Sequence, residues 1–188
     1  MPTDPDTPWT GPSDPPTLLT ERLRLEPLRP VHASEMFELL SDPGLYQFLP
    51  TDPPPTLDAL VTRYERLVRG SSAPGDELWL NWIVRSQADE ECVGRVEVTL
   101  RRDGSAYFAY EIGAAFQRRG FATEACRRVI QALFDDYEVA KIVAEVDTRN
   151  VASIAVLERL GFQRGPLRPQ ADFFKGAPSD EFTYTLTR

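Results

Sequence analysis

Gln117-Arg118-Arg119-Gly120-Phe121-Ala122 decides how this chain is read, because it stands where a strand-like run stops and an amphipathic helical run begins. Upstream, Ala106 to Phe116 reads as a strand. Downstream, Ala122, Ala125, Cys126, Val129, Ile130, Leu133 and Phe134 recur at helical spacing. A helix start leaves backbone N–H groups unpaired and carries the positive end of the helix dipole. Gly120 and Ala122 let a large anion come close to those donors, and two arginines add charge. The stretch therefore predicts a phosphate cradle. It lacks the three glycines of a dinucleotide fingerprint and the Gly-Lys-Ser/Thr of a nucleoside-triphosphate loop. Taken alone, it reads equally well as a glycine turn with solvated arginines.

On either side of the cradle the periodicity gives a single mixed α/β domain over residues 18–188, preceded by a flexible Pro/Asp-rich tail over residues 1–17. Leu18 to Leu28 reads as a strand. A helix starts at Pro30 and carries Met36, Phe37, Leu39 and Leu40, and a stiff Asp52-Pro53-Pro54-Pro55 connector leads to a second helix from Thr56 to Gly70. Leu78–Val84, Val93–Leu100 and Ala106–Phe116 follow as an antiparallel meander, with Asp103-Gly104 at one turn. After the cradle helix, Lys141–Asp147 is a strand and Asn150–Leu160 a helix closed by Gly161-Phe162. Phe182, Tyr184 and Leu186 make the last strand.

The net charge of −8 argues against nucleic acid and anionic membranes as partners, and no apolar run approaches a bilayer span. Residues 1–17 have neither the basic nor the apolar segment of a secretory signal. Cys92 and Cys126 read as free thiols in a reducing cytoplasm, and with His32 the only histidine no metal site is expected. Exposed edges of the last strands would allow a homodimer.

A second element joins the cradle: Asn150-x-x-Ser153 opening the last helix and Leu160-Gly161-Phe162 closing it. Together these motifs resemble the GCN5-related N-acetyltransferase (GNAT) family. Leu19-Thr20-Glu21-Arg22-Leu23-Arg24-Leu25, Tyr110-Glu111-Ile112-Gly113 and Ala122-Thr123-Glu124-Ala125 resemble its RimJ/RimL-like branch. The resemblance implies a mostly antiparallel sheet of about seven strands, splayed at its centre, with acetyl-CoA in the splay. It implies that Ala114, Ala115 and Phe116 offer backbone groups to the pantetheine arm, as an added strand would. It also implies that Gln117, Arg118, Arg119, Gly120, Phe121, Ala122 and Thr123 surround the diphosphate, and that Asn150 and Ser153 meet the arm.

The chemistry so implied is direct attack by a neutral primary amine on the thioester, the amine belonging to a protein N-terminus or a small molecule. Glu111 is the expected base, directly or through water, or else an ordinary glutamate on a wet strand face. Leu157 stands where many relatives carry the tyrosine that protonates the leaving thiolate, and Tyr110 and Tyr46 are the substitutes at hand. A CoA-binding sensor without turnover is the competing expectation. Glu145 and Asp147 share a strand face that meets either the acceptor amine or solvent. Trp79 and Trp82 fall on opposite faces of one strand, so one belongs to the core and the other is free to line the acceptor groove.

Overall fold

The computed structural model describes residues 14–72 and 76–188. Its strands are β1 (Leu18–Leu19), β2 (Leu23–Pro27), β3 (Glu77–Ser86), β4 (Cys92–Arg101), β5 (Ser105–Ile112), β6 (Lys141–Asp147), β7 (Gln163–Phe174) and β8 (Ala177–Thr187). The helices are α1 (Ala33–Leu40), α2 (Leu57–Val68), α3 (Phe121–Asp135) and α4 (Val151–Arg159). The strands form one eight-stranded sheet in the order β1-β2-β3-β4-β5-β6-β8-β7. Every neighbouring pair is antiparallel except β5–β6, which α3 joins as a parallel crossover.

Local chemistry sets most element ends. Thr56 caps α2, its Oγ1 accepting from Ala59 N at 3.1 Å. Gly104 takes φ 79° in the β4–β5 turn, and Asp103 Oδ1 accepts from Ser105 N at 2.9 Å. Gly161 ends α4 at φ 90°, and Phe162 N donates back to Leu157 O at 3.1 Å.

Alternation along the strands sends side chains to two cores. Trp82, Val84, Val96, Val98, Phe108, Ile142 and Ala144 pack with Ala125, Val129 and Leu133 of α3 and Leu157 of α4. On the other face Ile83 meets Met36 and Leu40 of α1 and Leu60 and Tyr64 of α2. The sheet thus has an α3 face and an α1 face.

The structure departs from the sequence reading in four places. The first expected strand is two, β1 and β2, broken at Thr20–Arg22, where Thr20 N donates to Leu23 O at 3.0 Å. The third meander strand stops at Ile112, and Ala114–Phe116 form a 3-10 turn in place of further strand. An extra strand, β7, pairs with β8; Pro166 and Pro169 and two register shifts hide it from any alternation test, and its edge position tolerates them. Of the expected tail, residues 1–13 lie outside the described residues, whereas Trp82 Nε1 donates to Pro16 O at 2.9 Å and Arg29 pairs with Asp14 at 2.8 Å.

Gly94 pairs with Ile112, and β5 leaves no room there for a side chain. A Cβ there would lie 2.2 Å from Glu111 O and 2.7 Å from Ile112 Cδ1. Gly94→Ala is therefore expected to cost ~3 kcal/mol of unfolding free energy, read by urea denaturation, through forced separation of the two strands.

Candidate functional site

The parallel ladder between β5 and β6 is short. It holds Ser105–Lys141, Ala106–Ile142 and Tyr107–Val143, and then stops. Phe108–Ile112 of β5 and Ala144–Asp147 of β6 continue as strand without pairing to each other. Each still has a partner on its outer side, β4 for β5 and β8 for β6. Backbone groups on the two inner edges thus face a gap, where a strand-like ligand could satisfy them.

The cradle lies at the wide end of that gap. Gln117 closes the 3-10 turn, its Nε2 donating to Ile112 O at 3.0 Å. Arg118 takes φ 59° and Gly120 φ 84°, whereas Arg119 keeps a negative φ. Left-handed residues on either side of Arg119 bend the backbone sharply ahead of α3, a feature shared with the turns that form anion nests. Left-handed backbone at a non-glycine residue costs ~1–2 kcal/mol, so Arg118 holds strain of the kind that gathers at ligand sites. The first α3 bond is Glu124 N to Gly120 O, at 3.1 Å. Among the described residues, no protein group accepts from the backbone N–H of residues 118–123. Of the turn expected to meet the arm, Phe116 N is already bonded to Gly113 O at 2.8 Å, while Ala114 and Ala115 are exposed.

Asn150 caps α4, its Oδ1 accepting from Ser153 N at 3.1 Å, which leaves its Nδ2 group free to donate. Ser153 Oγ lies 2.9 Å from Tyr110 Oη, bridging α4 to β5 across the splay. Burial pushes the Tyr110 phenol above its ordinary range. The loop before Asn150 is set by Asp147, which accepts from Arg149 N at 2.8 Å, Arg149 Nη2 at 2.6 Å and Ser179 Oγ at 2.7 Å. Asp147, expected to face acceptor or solvent, is instead buried and committed to this loop. Its neighbour Glu145 is exposed and pairs with Arg168 of β7.

Glu111 stands on the unpaired half of β5 and points to the α1 face. Arg95, its cross-strand partner, is 1 % exposed and grips both carboxylate oxygens, Nη2 to Oε1 at 3.0 Å and Nε to Oε2. Arg95 Nη1 reaches Glu97 Oε1 at 3.1 Å, and Arg63 Nη2 of α2 reaches the same oxygen at 3.4 Å. Tyr64 Oη is buried among these charges without a hydrogen-bond partner among the described residues, and burial pushes its pKa to about 12. Single-residue patterns gave no sign of Arg95; only the β4–β5 register pairs it with Glu111. Leu157 is buried in the α3-face core and offers no acid there.

His32, at the head of α1, accepts from Arg29 N at 3.0 Å through Nδ1, a capping contact. Trp82 is core, and Trp79 lines a cavity of about 550 Å³ with Leu28, Leu67 and Asn81. That cavity lies at the end of β3 remote from the cradle, since Trp79 is in register with Thr99 and Tyr107 rather than with Ile112. On the α1 face, Lys175 ties the β7–β8 turn to the α1–α2 connector, Nζ donating to Leu49 O and Thr51 O at 3.1 Å.

Residues 22–163 match the family model described as "Acetyltransferase (GNAT) domain", and the chain belongs to that family. It is an acetyl-CoA-dependent N-acetyltransferase. It is similar to the Uncharacterized N-acetyltransferase p20 of Bacillus licheniformis, 26% identical over 92% of this chain and 96% of the relative. It is also similar to the FsC-acetyl coenzyme A-N(2)-transacetylase of Aspergillus fumigatus, 28% identical over 92% of this chain and 77% of that protein. In fold it resembles RimL, the ribosomal L7/L12 alpha-N-protein acetyltransferase solved with coenzyme A, at TM-score 0.82 and 17% identity over 92% and 98% of the two chains. The ribosomal-protein-S5-alanine acetyltransferase from Vibrio fischeri gives 0.80 and 17% over 92% and 97%. No helix among the described residues is long and apolar enough to cross a membrane.

Arg149 holds the Asp147 carboxyl down from the ordinary 3.8 to about 2; burial opposes the shift, and Arg149 N and Ser179 Oγ add to it. A depressed carboxylate stabilises the fold above its unfolded pKa and loses that contribution as pH falls through the folded one. Asp147→Asn is expected to cost ~1–2 kcal/mol at pH 7, the exposed Arg149 keeping the figure modest. Unfolding curves of variant and wild type should converge as the pH approaches about 2.

Proposed function

We propose that the diphosphate of acetyl-CoA binds on the backbone N–H groups of Arg118 to Thr123, while its pantetheine arm fills the gap between β5 and β6. The observation that carries this reading is the coincidence of unpartnered helix-head donors with a ladder that ends after Tyr107 and Val143. Ala114 and Ala115, with the Phe116 carbonyl, would pair with the arm, and Asn150 Nδ2 would donate to it. Gln117 serves through its grip on Ile112 O, which shapes the turn.

The acceptor is a primary amine of a protein N-terminus or a small molecule, approaching from the α1 face. Its neutral nitrogen attacks the thioester carbon, the carbonyl oxygen takes up charge beside backbone donors, and the thiolate leaves. Glu111 takes the ammonium proton through water, with the Arg95 fork fixing its carboxylate. Tyr110, on the β5 wall of the splay and held in its protonated form by burial, would return a proton to the thiolate. Titration calorimetry with acetyl-CoA should give saturable binding, and an amine panel read by released CoA should separate N-terminal peptides from small amines. Glu111→Gln should lower kcat by ~10²–10⁴ with donor affinity kept. No donor binding would remove the reading.

Two observations favour a second reading, a CoA-responsive module without turnover: both Glu111 oxygens are already engaged by a buried arginine, and Leu157 offers no acid. Tight donor binding with no CoA release from any amine would establish it.

A further inference from the structure

The first turn of α3 carries a carboxylate where a bound diphosphate would least tolerate one. Glu124 sits one turn into the helix and shares its positive end with the cradle. Burial favours the neutral acid, but hydrogen bonds from Thr20 and Arg22 outweigh it and keep the carboxyl ionised. Thr20 Oγ1 donates to Oε1 at 2.6 Å and Arg22 N to the same oxygen at 3.0 Å. The Arg22 guanidinium takes the other oxygen, Nε at 2.7 Å and Nη2 at 2.6 Å.

The same guanidinium does more than neutralise Glu124. Its Nη1 donates to Arg119 O at 3.0 Å, and its Cζ lies 4.8 Å from the centre of the Phe121 ring. In a trans peptide, C=O and N–H point opposite ways. Fixing Arg119 O toward Arg22 therefore turns the Gly120 N–H away from it, toward the open side of the nest. A Cβ on Gly120 would lie 3.3 Å from Arg22 Nη2, so the glycine also makes room for this contact.

We propose that Arg22 is a positioning residue for the cradle: it reaches across from the β1–β2 turn, cancels the Glu124 charge, and clamps the Arg119–Gly120 peptide with its donor facing the diphosphate. The inference rests on the diphosphate reading of residues 118–123. It assigns Arg22 no contact with the ligand. Its charge is already spent on Glu124, and what it supplies is the direction of a backbone group. A lysine in its place would keep the charge and lose the fork, because a single ammonium cannot span the carboxylate and the carbonyl as a planar guanidinium does.

The test compares two donors, acetyl-CoA by calorimetry and S-acetylpantetheine, which lacks the diphosphate and nucleotide, by ligand-observed NMR titration. Arg22→Met should weaken acetyl-CoA by about tenfold or more, the size expected for losing a charge-assisted bond and uncovering a like charge. Arg22→Lys, the milder change should the methionine variant fold poorly, should still weaken it severalfold. Affinity for S-acetylpantetheine should stay at the wild-type value in both. An equal loss for both ligands would make Arg22 a fold-holding residue and overturn the proposal. Wild-type affinity in Arg22→Lys would mean that charge alone suffices, and would overturn it as well. Wild-type protein that holds acetyl-CoA no more tightly than S-acetylpantetheine would remove the cradle itself, a failure separate from that of Arg22.

Discussion

Three residue pairs of parallel ladder hold β5 to β6, and the gap between them exists because the ladder goes no further. A sheet interior normally satisfies every backbone donor and acceptor. Here the two inner edges separate while their outer edges remain paired, so the opening does not unravel the sheet. Tyr110 on one wall and Ser153 on the other meet across the α3 face of the gap. The head of α3 lies at its wide end, and one ligand can use strand edges and helix donors together.

Around that opening, polar groups work mainly through one another. Asp147 sets the turn that presents Asn150. Arg95, itself buried, sets the Glu111 carboxylate, and Glu97 and Arg63 extend that network under α2. Burying ions in this way costs desolvation unless they are paired, and Asp147, Arg95 and Glu111 each hold an opposite charge. The arrangement favours fixed geometry, which is what attack of an amine on a thioester requires.

Sequence alone revealed whatever is local. The change of period after Gly120, the Asn150 cap and the Gly161 ending are set within a few residues, and each appears where its chemistry puts it. The splay entered through the family resemblance, since nothing in the strand patterns marks where a ladder stops. β7 escaped because two prolines and irregular pairing erase alternation. Arg95 and the Thr20–Arg22–Glu124 contacts escaped for another reason. They join residues 16 to 104 positions apart, and only strand register and the docking of α3 bring them together.

The central claim is that backbone amides at the head of α3 and along the gap receive the acetyl donor. Amide ¹H–¹⁵N spectra during an acetyl-CoA titration address it residue by residue. Saturable shifts are expected at residues 118–123 and on the inner edges of β5 beyond Tyr107 and β6 beyond Val143. Silence at those amides, with shifts gathered instead around the Trp79 cavity, would contradict it.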